Sequence, residues 1–188
     1  RRALEFIGQP IRSVTTIKEA SDCSHIILPG VGGFSQAMQR IRNDGIDELL
    51  SHTHEQGKPL LGICLGMQLL ATTGLEGDET EGLGIVPAIV DRLATSDETF
   101  KIPHIGWNEI KLTIPSPLFD GITDGTDFYF VHSYHVIVHN NAHAVTTTSH
   151  GVDFVSAVQN GNSFGVQFHP EKSSKAGIRL LKNFCGIA

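Results

Sequence analysis

The sequence predicts an α/β fold built on a central mixed sheet, mostly parallel and flanked by helices, with antiparallel strands added to it. Short apolar strands alternate with helical periodicity in the first half, and the pattern becomes strand-rich from Leu83 onward. Alternation followed by a run of strands is typical of this class. The predicted strands cover residues 26–28, 60–63, 84–86, 109–114, 128–131, 136–138, 144–148, 154–158 and 164–168. The predicted helices cover residues 1–7, 34–50, 67–71 and 176–184.

Local patterns support these elements in chain order. The first helix has one apolar face and a C-terminal cap at Gly8. The apolar run at 26–28 leads into a loop of proline and glycines at 29–33, after which helical periodicity begins. Later strands show alternation of apolar and polar residues. The segment 111–125 is interrupted by prolines and glycines, so we expect it to cross the surface.

The composition describes one globular domain over residues 1–188. Hydrophobic residues make up 40% of the chain and charged residues 18%, which suits a substantial core. The net charge of −6 argues against nucleic acid or an anionic membrane as a partner. The three cysteines are widely spaced and odd in number, so we expect no disulfide framework and a reducing, cytoplasmic location.

Residues 62–68, with the sequence GICLGMQ, carry the strongest functional signal. They follow an apolar run and precede an apolar helical pattern, so the chain turns from strand to helix at Cys64. Glycines two positions before and after this cysteine leave room for a strained turn that presents its side chain. A helix N-terminus also favours a thiolate. The pattern predicts a nucleophile elbow; the alternative is a buried structural cysteine.

Residues 165–171, with the sequence GVQFHPE, predict a base and the group that orients it. Pro170 keeps His169 extended, and residues two apart in an extended segment point the same way. His169 and Glu171 are therefore expected to pair. Because a cysteine nucleophile needs a base and the base needs an orienting group, Cys64, His169 and Glu171 are predicted to form a catalytic triad.

An oxyanion hole needs two N–H donors aimed at the developing negative charge. One is predicted to be the backbone N–H of Leu65, the residue after the nucleophile. The second is expected from the loop at residues 30–33, whose glycines let the backbone approach a substrate and change conformation. No GxxxxGK string follows this loop, which argues against phosphate binding.

The ten histidines do not form a metal-binding pattern. His52 and His54 point in different directions on a predicted helix, and neither an HExxH string nor paired CxxC motifs occur. His132 and His135 diverge on a predicted strand. We therefore expect no metal and no cofactor.

Four segments resemble the class I glutamine amidotransferases and, within them, the glutaminase subunits of imidazole glycerol phosphate synthase. The segments are 62–68 (GICLGMQ), 102–108 (IPHIGWN), 128–134 (FYFVHSY) and 165–174 (GVQFHPEKSS). The first and last specify the broader family. The pair Met67-Gln68 and the run HIGWN favour this subfamily over the anthranilate-type glutaminases.

The resemblance implies an enzyme that hydrolyses glutamine to glutamate and ammonia. It further implies a heterodimer in which the ammonia passes to a (β/α)8-barrel cyclase of histidine biosynthesis. The implied roles beyond the triad are the second oxyanion N–H for Val31 or Gly32, substrate binding for Gln68, Glu76, Ser133 and Tyr134, and contact with the partner for His104, Trp107 and Asn108. Family members also have a strand before the helix predicted at residues 1–7. We therefore expect the given sequence to lack an N-terminal strand, one that carries no triad residue.

Other functions remain open at this point. A glutaminase feeding anthranilate or aminodeoxychorismate synthesis is the nearest alternative. A cysteine hydrolase that acts alone on other amides or thioesters is a second. A non-catalytic relative that keeps the fold for binding is disfavoured, because all three triad residues are present.

Overall fold

The computed structural model of the chain describes residues 1–95 and 99–188. Its strands are β1 (Ile26–Gly30), β2 (Leu60–Cys64), β3 (Ala71–Gly74), β4 (Thr80–Glu81), β5 (Val86–Arg92), β6 (His104–Leu112), β7 (Thr126–His132), β8 (Tyr134–Val138), β9 (Ala144–Ser149), β10 (Asp153–Asn160) and β11 (Ser163–Val166). Its α-helices are α1 (Arg2–Phe6), α2 (Ile17–Ser21), α3 (Phe34–Asn43), α4 (Ile46–Glu55), α5 (Leu65–Leu69) and α6 (Ser174–Cys185). None of these helices is long and apolar enough to cross a membrane.

The strands form a mixed sheet in the order β1-β2-β11-β10-β8-β5-β3-β4, while β9 joins β10 and connects through β6 to β7. Parallel pairing joins β2 to β1 and β11, and joins β3 to β5. The other described pairs are antiparallel. The α/β class and the mixed sheet are confirmed, but the expectation of a mostly parallel sheet is wrong, because the strand-rich second half adds hairpins.

The parallel strands β1, β2 and β11 bring the functional segments to one edge of the sheet. Gly30 at the end of β1 lies opposite Cys64 at the end of β2. On the other side of β2, Val166 of β11 lies opposite Ile63. Carboxyl ends of parallel strands meet at the same edge, so the glycine loop, the cysteine and the histidine segment converge there.

Two apolar clusters cover the two faces of the sheet. Adjacent residues of β2 divide between them, because Leu60 belongs to one cluster and Leu61 to the other. The first cluster packs against α3 and α4, and the second against α6. The second cluster is rich in phenylalanine and includes Phe168, so the residue before the predicted base is anchored in the core.

Several predicted boundaries need correction. The helix predicted over 34–50 is two helices, because Gly45 takes φ +67 between α3 and α4. The helix predicted over 67–71 is the short α5, and Ala71 already begins β3. The strand predicted over 109–114 begins at His104, so it contains the HIGWN run. The segment 111–125 is not a purely surface crossing, since it inserts Leu118, Phe119 and Ile122 into the core.

Candidate active site

The turn at Cys64 has the geometry of a nucleophile elbow. Cys64 takes φ 55 and ψ −113, a left-handed conformation that costs a non-glycine residue on the order of 1–3 kcal/mol. A β-carbon on Gly62 would lie 2.5 Å from the carbonyl oxygen of Gly66. A β-carbon on Gly66 would collide with the carbonyl oxygen of Leu28. Both glycines are therefore required for the close packing of β1, β2 and α5.

The helix that follows the elbow begins two residues earlier than the sequence predicted and is equally short. α5 contains five residues, Leu65–Leu69, and all of them are buried. Cys64 is the N-cap of α5, so the unpaired N–H groups of the first helical turn lie beside it.

His169 and Glu171 form the predicted pair. The Nδ1 atom of His169 lies 2.8 Å from Oε1 of Glu171, and the side chains are 7% and 42% exposed. The prediction placed both residues on an extended segment, but Pro170–Lys172 is a 3-10 turn that brings the carboxylate back to the ring. Nε2 of His169 is buried without a hydrogen-bond partner among the described residues, so this nitrogen is available for the reaction.

The surroundings of His169 favour its protonated form. The nearby Cys64 side chain, followed by the hydrogen bond to Glu171, raises the pKa of His169 from 6.5 to about 9, although burial opposes this. Burial would raise the pKa of Glu171, but the hydrogen bond from His169 and the charge of the ring outweigh it and lower that pKa. Cys64 influences the ring by proximity, since Nε2 does not complete a hydrogen bond to it. The site is therefore arranged for an imidazolium ring at neutral pH.

The backbone of His169 is tied to β7 on both sides. Its N–H donates to the carbonyl oxygen of Tyr129 at 2.9 Å, and its own carbonyl accepts from Oγ of Ser173 at 2.6 Å. The same Ser173 hydroxyl accepts from the N–H of Tyr129 at 3.0 Å. Ser173 is 1% exposed, so this clamp is shielded from water.

Two glutamine side chains connect the elbow helix to the nucleophile. Nε2 of Gln68 donates to the carbonyl oxygen of Tyr134 at 2.9 Å and to Oε1 of Gln167 at 3.0 Å. Nε2 of Gln167 lies 3.8 Å from Sγ of Cys64. Both N–H groups of the Gln68 amide are therefore used within the protein. Only its oxygen remains to accept a hydrogen bond from a substrate.

The loop at residues 30–33 is anchored at its ends and open in its middle. A β-carbon on Gly30 would lie 2.9 Å from the backbone nitrogen of Gly66, so this end packs against the elbow. At the other end, the N–H of Phe34 donates to Oε2 of Glu76 at 2.7 Å, which places a carboxylate at the start of α3. Between them Val31 is 82% exposed, and Gly32 takes φ +104 with no atom near its missing β-carbon.

The chain matches the family profile described as "Glutamine amidotransferase class-I" over residues 5–187. It belongs to the class I glutamine amidotransferases. Within this family it is 44% identical to imidazole glycerol phosphate synthase subunit HisH of Moorella thermoacetica, an alignment that covers 98% of this chain and 86% of that protein. The HisH subunit of Listeria monocytogenes serotype 4b is 39% identical over 97% of this chain and 86% of that protein. The chain therefore belongs to the HisH group of this family.

Solved structures agree on the fold. A crystal structure of a glutamine amidotransferase superimposes with a TM-score of 0.75 at 20% identity, covering 98% of this chain and 89% of that one. A glutamine amidotransferase from Thermotoga maritima superimposes with a TM-score of 0.63 at 20% identity, covering 96% and 68%. At this identity the likeness shows that the amidotransferase fold is shared.

The remaining residues implied by the family resemblance fall on two strands near the site. Tyr134 and Ser133 lie where β7 passes into β8, and the Tyr134 carbonyl accepts the Gln68 amide. On β6, Trp107 is 53% exposed, whereas His104 is only 3% exposed. The His104 side chain therefore points into the protein and does not share the exposed surface of Trp107. Asn108 is half-buried and donates to the carbonyl oxygen of Ser149 at 2.8 Å.

The sequence argument missed Gln167 and Ser173. Gln167 lies two residues before His169, so the strand alternation that oriented the histidine also applies to Gln167. A polar residue with 0% exposure directly after β11 needs a partner, which is a signal for function. Ser173 gave no comparable signal, because its partner Tyr129 is distant in sequence. No group of three or more His, Cys, Asp or Glu side chains within residues 1–95 and 99–188 is arranged to hold a metal ion.

Proposed function

We propose that this amidotransferase is the glutaminase subunit of imidazole glycerol phosphate synthase, hydrolysing glutamine and passing ammonia to a cyclase subunit. The observation that carries the proposal is the strained Cys64 elbow beside the His169–Glu171 pair, in a chain that is 44% identical to a HisH subunit. We further infer a cytoplasmic heterodimer with a (β/α)8-barrel cyclase. The free state of Cys23, Cys64 and Cys185 is compatible with that reducing location.

In the first half of the reaction, Cys64 attacks the side-chain amide carbon of glutamine as a thiolate, and the carbonyl oxygen becomes an oxyanion. The proton lies on His169, whose pKa is about 9. When the tetrahedral intermediate collapses, the C–N bond breaks and His169 donates this proton to the departing nitrogen. The products are ammonia and a thioester on Cys64.

In the second half, His169 acts as a base. Now without its extra proton, the ring takes a proton from water as the oxygen attacks the thioester carbon. The C–S bond then breaks, glutamate leaves, and the thiolate and the imidazolium are restored. Glu171 holds Nδ1 throughout, so Nε2 is the nitrogen directed to the reacting atoms.

The oxyanion requires two N–H groups. We assign them to Leu65, at the start of α5, and to the peptide at Val31 or Gly32. One such donor is worth on the order of 10²–10³ in turnover. The anchored ends and open middle of the 30–33 loop favour a rotation of this peptide that leaves the neighbouring elements in place. We propose that the cyclase, with its nucleotide ligand bound, turns the donor toward the oxyanion.

The substrate is expected to lie between this loop and β8. Glu76 reaches the loop with its carboxylate and is proposed to receive the α-amino group. Ser133 and Tyr134 are proposed to contact the α-carboxylate, and Gln68 to accept from the substrate through Oε1. The exposed side chains of Ile105 and Trp107 on β6 are proposed to face the cyclase, because aromatic anchors are enriched at such interfaces.

The test is glutamine-dependent synthesis by the complex of this chain with the cyclase. Cys64→Ala should abolish glutamine-dependent turnover, while an added ammonium salt still supports synthesis by the cyclase. Cys23→Ala is the matched control, since Cys23 is a half-buried cysteine just after α2 whose side chain contacts Arg12 and Glu19, and its loss should leave both activities unchanged. Glutamine-dependent turnover near the original rate in Cys64→Ala would remove Cys64 from the mechanism. If the chain fails to supply the cyclase with ammonia but supports glutamine-dependent synthesis by an anthranilate-type partner, the alternative function in anthranilate synthesis is favoured.

A further inference from the structure

The carbonyl oxygen of Tyr134 accepts two hydrogen bonds from different parts of the protein. Nε2 of Gln68 donates from 2.9 Å, and Nδ1 of His132 lies at 2.9 Å. A carbonyl can only accept, so both partners must donate. This requirement fixes the direction of the hydrogen bonds that continue on each side.

On one side of the Tyr134 carbonyl, the hydrogen bonds continue through His132 to His104 on β6. Burial lowers the pKa of His132 to about 3, so its ring is neutral and its Nε2 must accept. The partner at 3.1 Å is Nδ1 of His104, which therefore carries a proton. Burial and His150 lower the pKa of His104 to about 4, so its Nε2 also accepts, here from Asn108 at 3.2 Å. Every hydrogen bond from Asn108 to Tyr134 thus points the same way.

The rings of His104 and His132 are held firmly by their surroundings. His104 and His132 are 3% and 6% exposed. The two residues are direct cross-strand partners on β6 and β7. His104 also stacks on Phe130 at 4.8 Å and on His150 at 4.1 Å, with interplanar angles of 24° and 27°. Such packing leaves little freedom to rotate either ring.

On the other side of the Tyr134 carbonyl, the hydrogen bonds continue through Gln68 and Gln167 to the sulfur of Cys64. Since Gln68 gives one N–H to Tyr134, its second N–H goes to Oε1 of Gln167. The amide group of Gln167 must then present Nε2 to Cys64, as observed at 3.8 Å. The opposite orientation would place an oxygen beside the sulfur and repel a thiolate.

We propose that His132 and His104 are positioning residues that hold the Tyr134 carbonyl, so that Gln68 and Gln167 keep an N–H directed at the Cys64 sulfur. The histidines touch neither substrate nor sulfur and act through the shared oxygen. The proposal rests on the proposed glutaminase function only for its kinetic consequence. The direction of the hydrogen bonds and the reactivity of Cys64 are independent of that function.

The first test reads the proton positions directly. Long-range ¹H–¹⁵N correlation spectra of the full chain at pH 7 should show both histidines as neutral rings protonated on Nδ1. His132→Asn assigns one set of signals by removing it. An Nε2-protonated or charged His132 would overturn the proposal.

The second test distinguishes the loss of the hydrogen-bond donor at residue 132 from a general change in the side chain there. His132→Leu removes the donor to Tyr134, and we expect about a tenfold loss in both kcat for glutamine and the rate of Cys64 alkylation by iodoacetamide, the scale of one hydrogen bond. His132→Asn keeps an N–H near the Nδ1 position and should recover both rates to within about threefold, given the same scale. His52→Leu, on the exposed surface of α4, is the control and should change neither rate.

The outcomes distinguish the possible failures. Peptide mass mapping isolates alkylation at Cys64 from that at Cys23 and Cys185. If His132→Asn is folded and as impaired as His132→Leu, or if neither rate changes, the positioning role is wrong. If His132→Leu does not fold, the proposal is still tested by the proton positions in the NMR spectra and by the kcat and alkylation rate of His132→Asn. Absence of glutaminase in the original complex would overturn the proposed function and leave the alkylation result interpretable.

Discussion

On one side of Cys64 lies the proposed base, His169, which is held by three residues, and on the other side lies a loop that is held only at its ends. His169 bonds to Glu171 through its ring, and its backbone is tied to Tyr129 and Ser173. Val31, in the loop, is 82% exposed, and Gly32 has no neighbour where a β-carbon would stand. The groups proposed to transfer protons are thus fixed in advance, whereas the group proposed to stabilise the oxyanion lies where the backbone can turn.

This difference fits an enzyme whose product must not be released without an acceptor. A rigid triad keeps the nucleophile ready at no cost of rearrangement. Placing an adjustable element in the proposed oxyanion loop would let a partner control the rate without disturbing the proposed triad. Changes on the two sides should therefore have different consequences, which the following variants examine.

Among changes to the His169–Glu171 pair, the largest effect is expected for His169→Ala, which removes the proposed proton carrier. We expect glutaminase turnover to fall by roughly 10²–10⁴, with and without the cyclase, because both half-reactions need this ring. Glu171→Gln keeps the ring and alters its orientation and charge, so it should cost less. Steady-state assays on both variants check the order, and a greater loss in Glu171→Gln would show that the roles are assigned incorrectly.

The matching change in the loop is Gly32→Ala. The β-carbon meets no atom, but φ +104 is unfavourable for alanine, so the peptide loses the conformations needed to turn its N–H. We expect kcat of the ligand-activated complex to fall on the order of 10², with little change in KM because the donor acts on the transition state. Gly57→Ala is the control, because Gly57 has φ +65 in open space and lies before β2, at the end of that strand opposite Cys64. An activation ratio equal in both variants would exclude Gly32 from gating.

A smaller effect is expected from the protonation of His169. Its pKa is raised from 6.5 to about 9 in the folded chain, so the stabilising contribution is complete below pH 6.5 and is lost as pH rises through 9. The free energy of unfolding should therefore decrease over this interval, and urea denaturation at several pH values would measure it. Cys64→Ala should lower the pKa of His169 more than Glu171→Gln does, since Cys64 is the larger cause. A pKa of His169 near 6.5 by NMR would contradict the electrostatic description of the site.

The sequence predicted the parts of the site that depend on local patterns. Gly62 and Gly66 indicated the elbow because a strained turn at Cys64 has no space for β-carbons. The pairing of His169 with Glu171 followed from their spacing, although a turn and not an extended strand produces it. The α/β class followed from the alternation of elements, which is also a local property.

The parts that sequence reasoning missed depend on register. His104 and His132 are 28 residues apart and meet only because β6 and β7 pair in one particular alignment. The burial of His104 has the same origin, and it removes that side chain from the surface proposed to face the cyclase. Ser173 reaches Tyr129 across 44 residues. No periodicity within one segment encodes such contacts, since a shift of one residue would replace every pair.

The most direct test of the account compares the chemical reactivity of Cys64 with its catalytic turnover, in the isolated chain and in the complex with the cyclase and its nucleotide ligand. If the triad is preassembled and only the loop is adjusted, iodoacetamide should alkylate Cys64 at similar rates in both, within about threefold, allowing one hydrogen bond of difference. Over the same comparison, kcat for glutamine should rise on the order of 10²–10³, the worth of one oxyanion donor. An alkylation rate that rises in parallel with kcat, or full turnover in the isolated chain, would contradict the division between a fixed base and an adjustable loop.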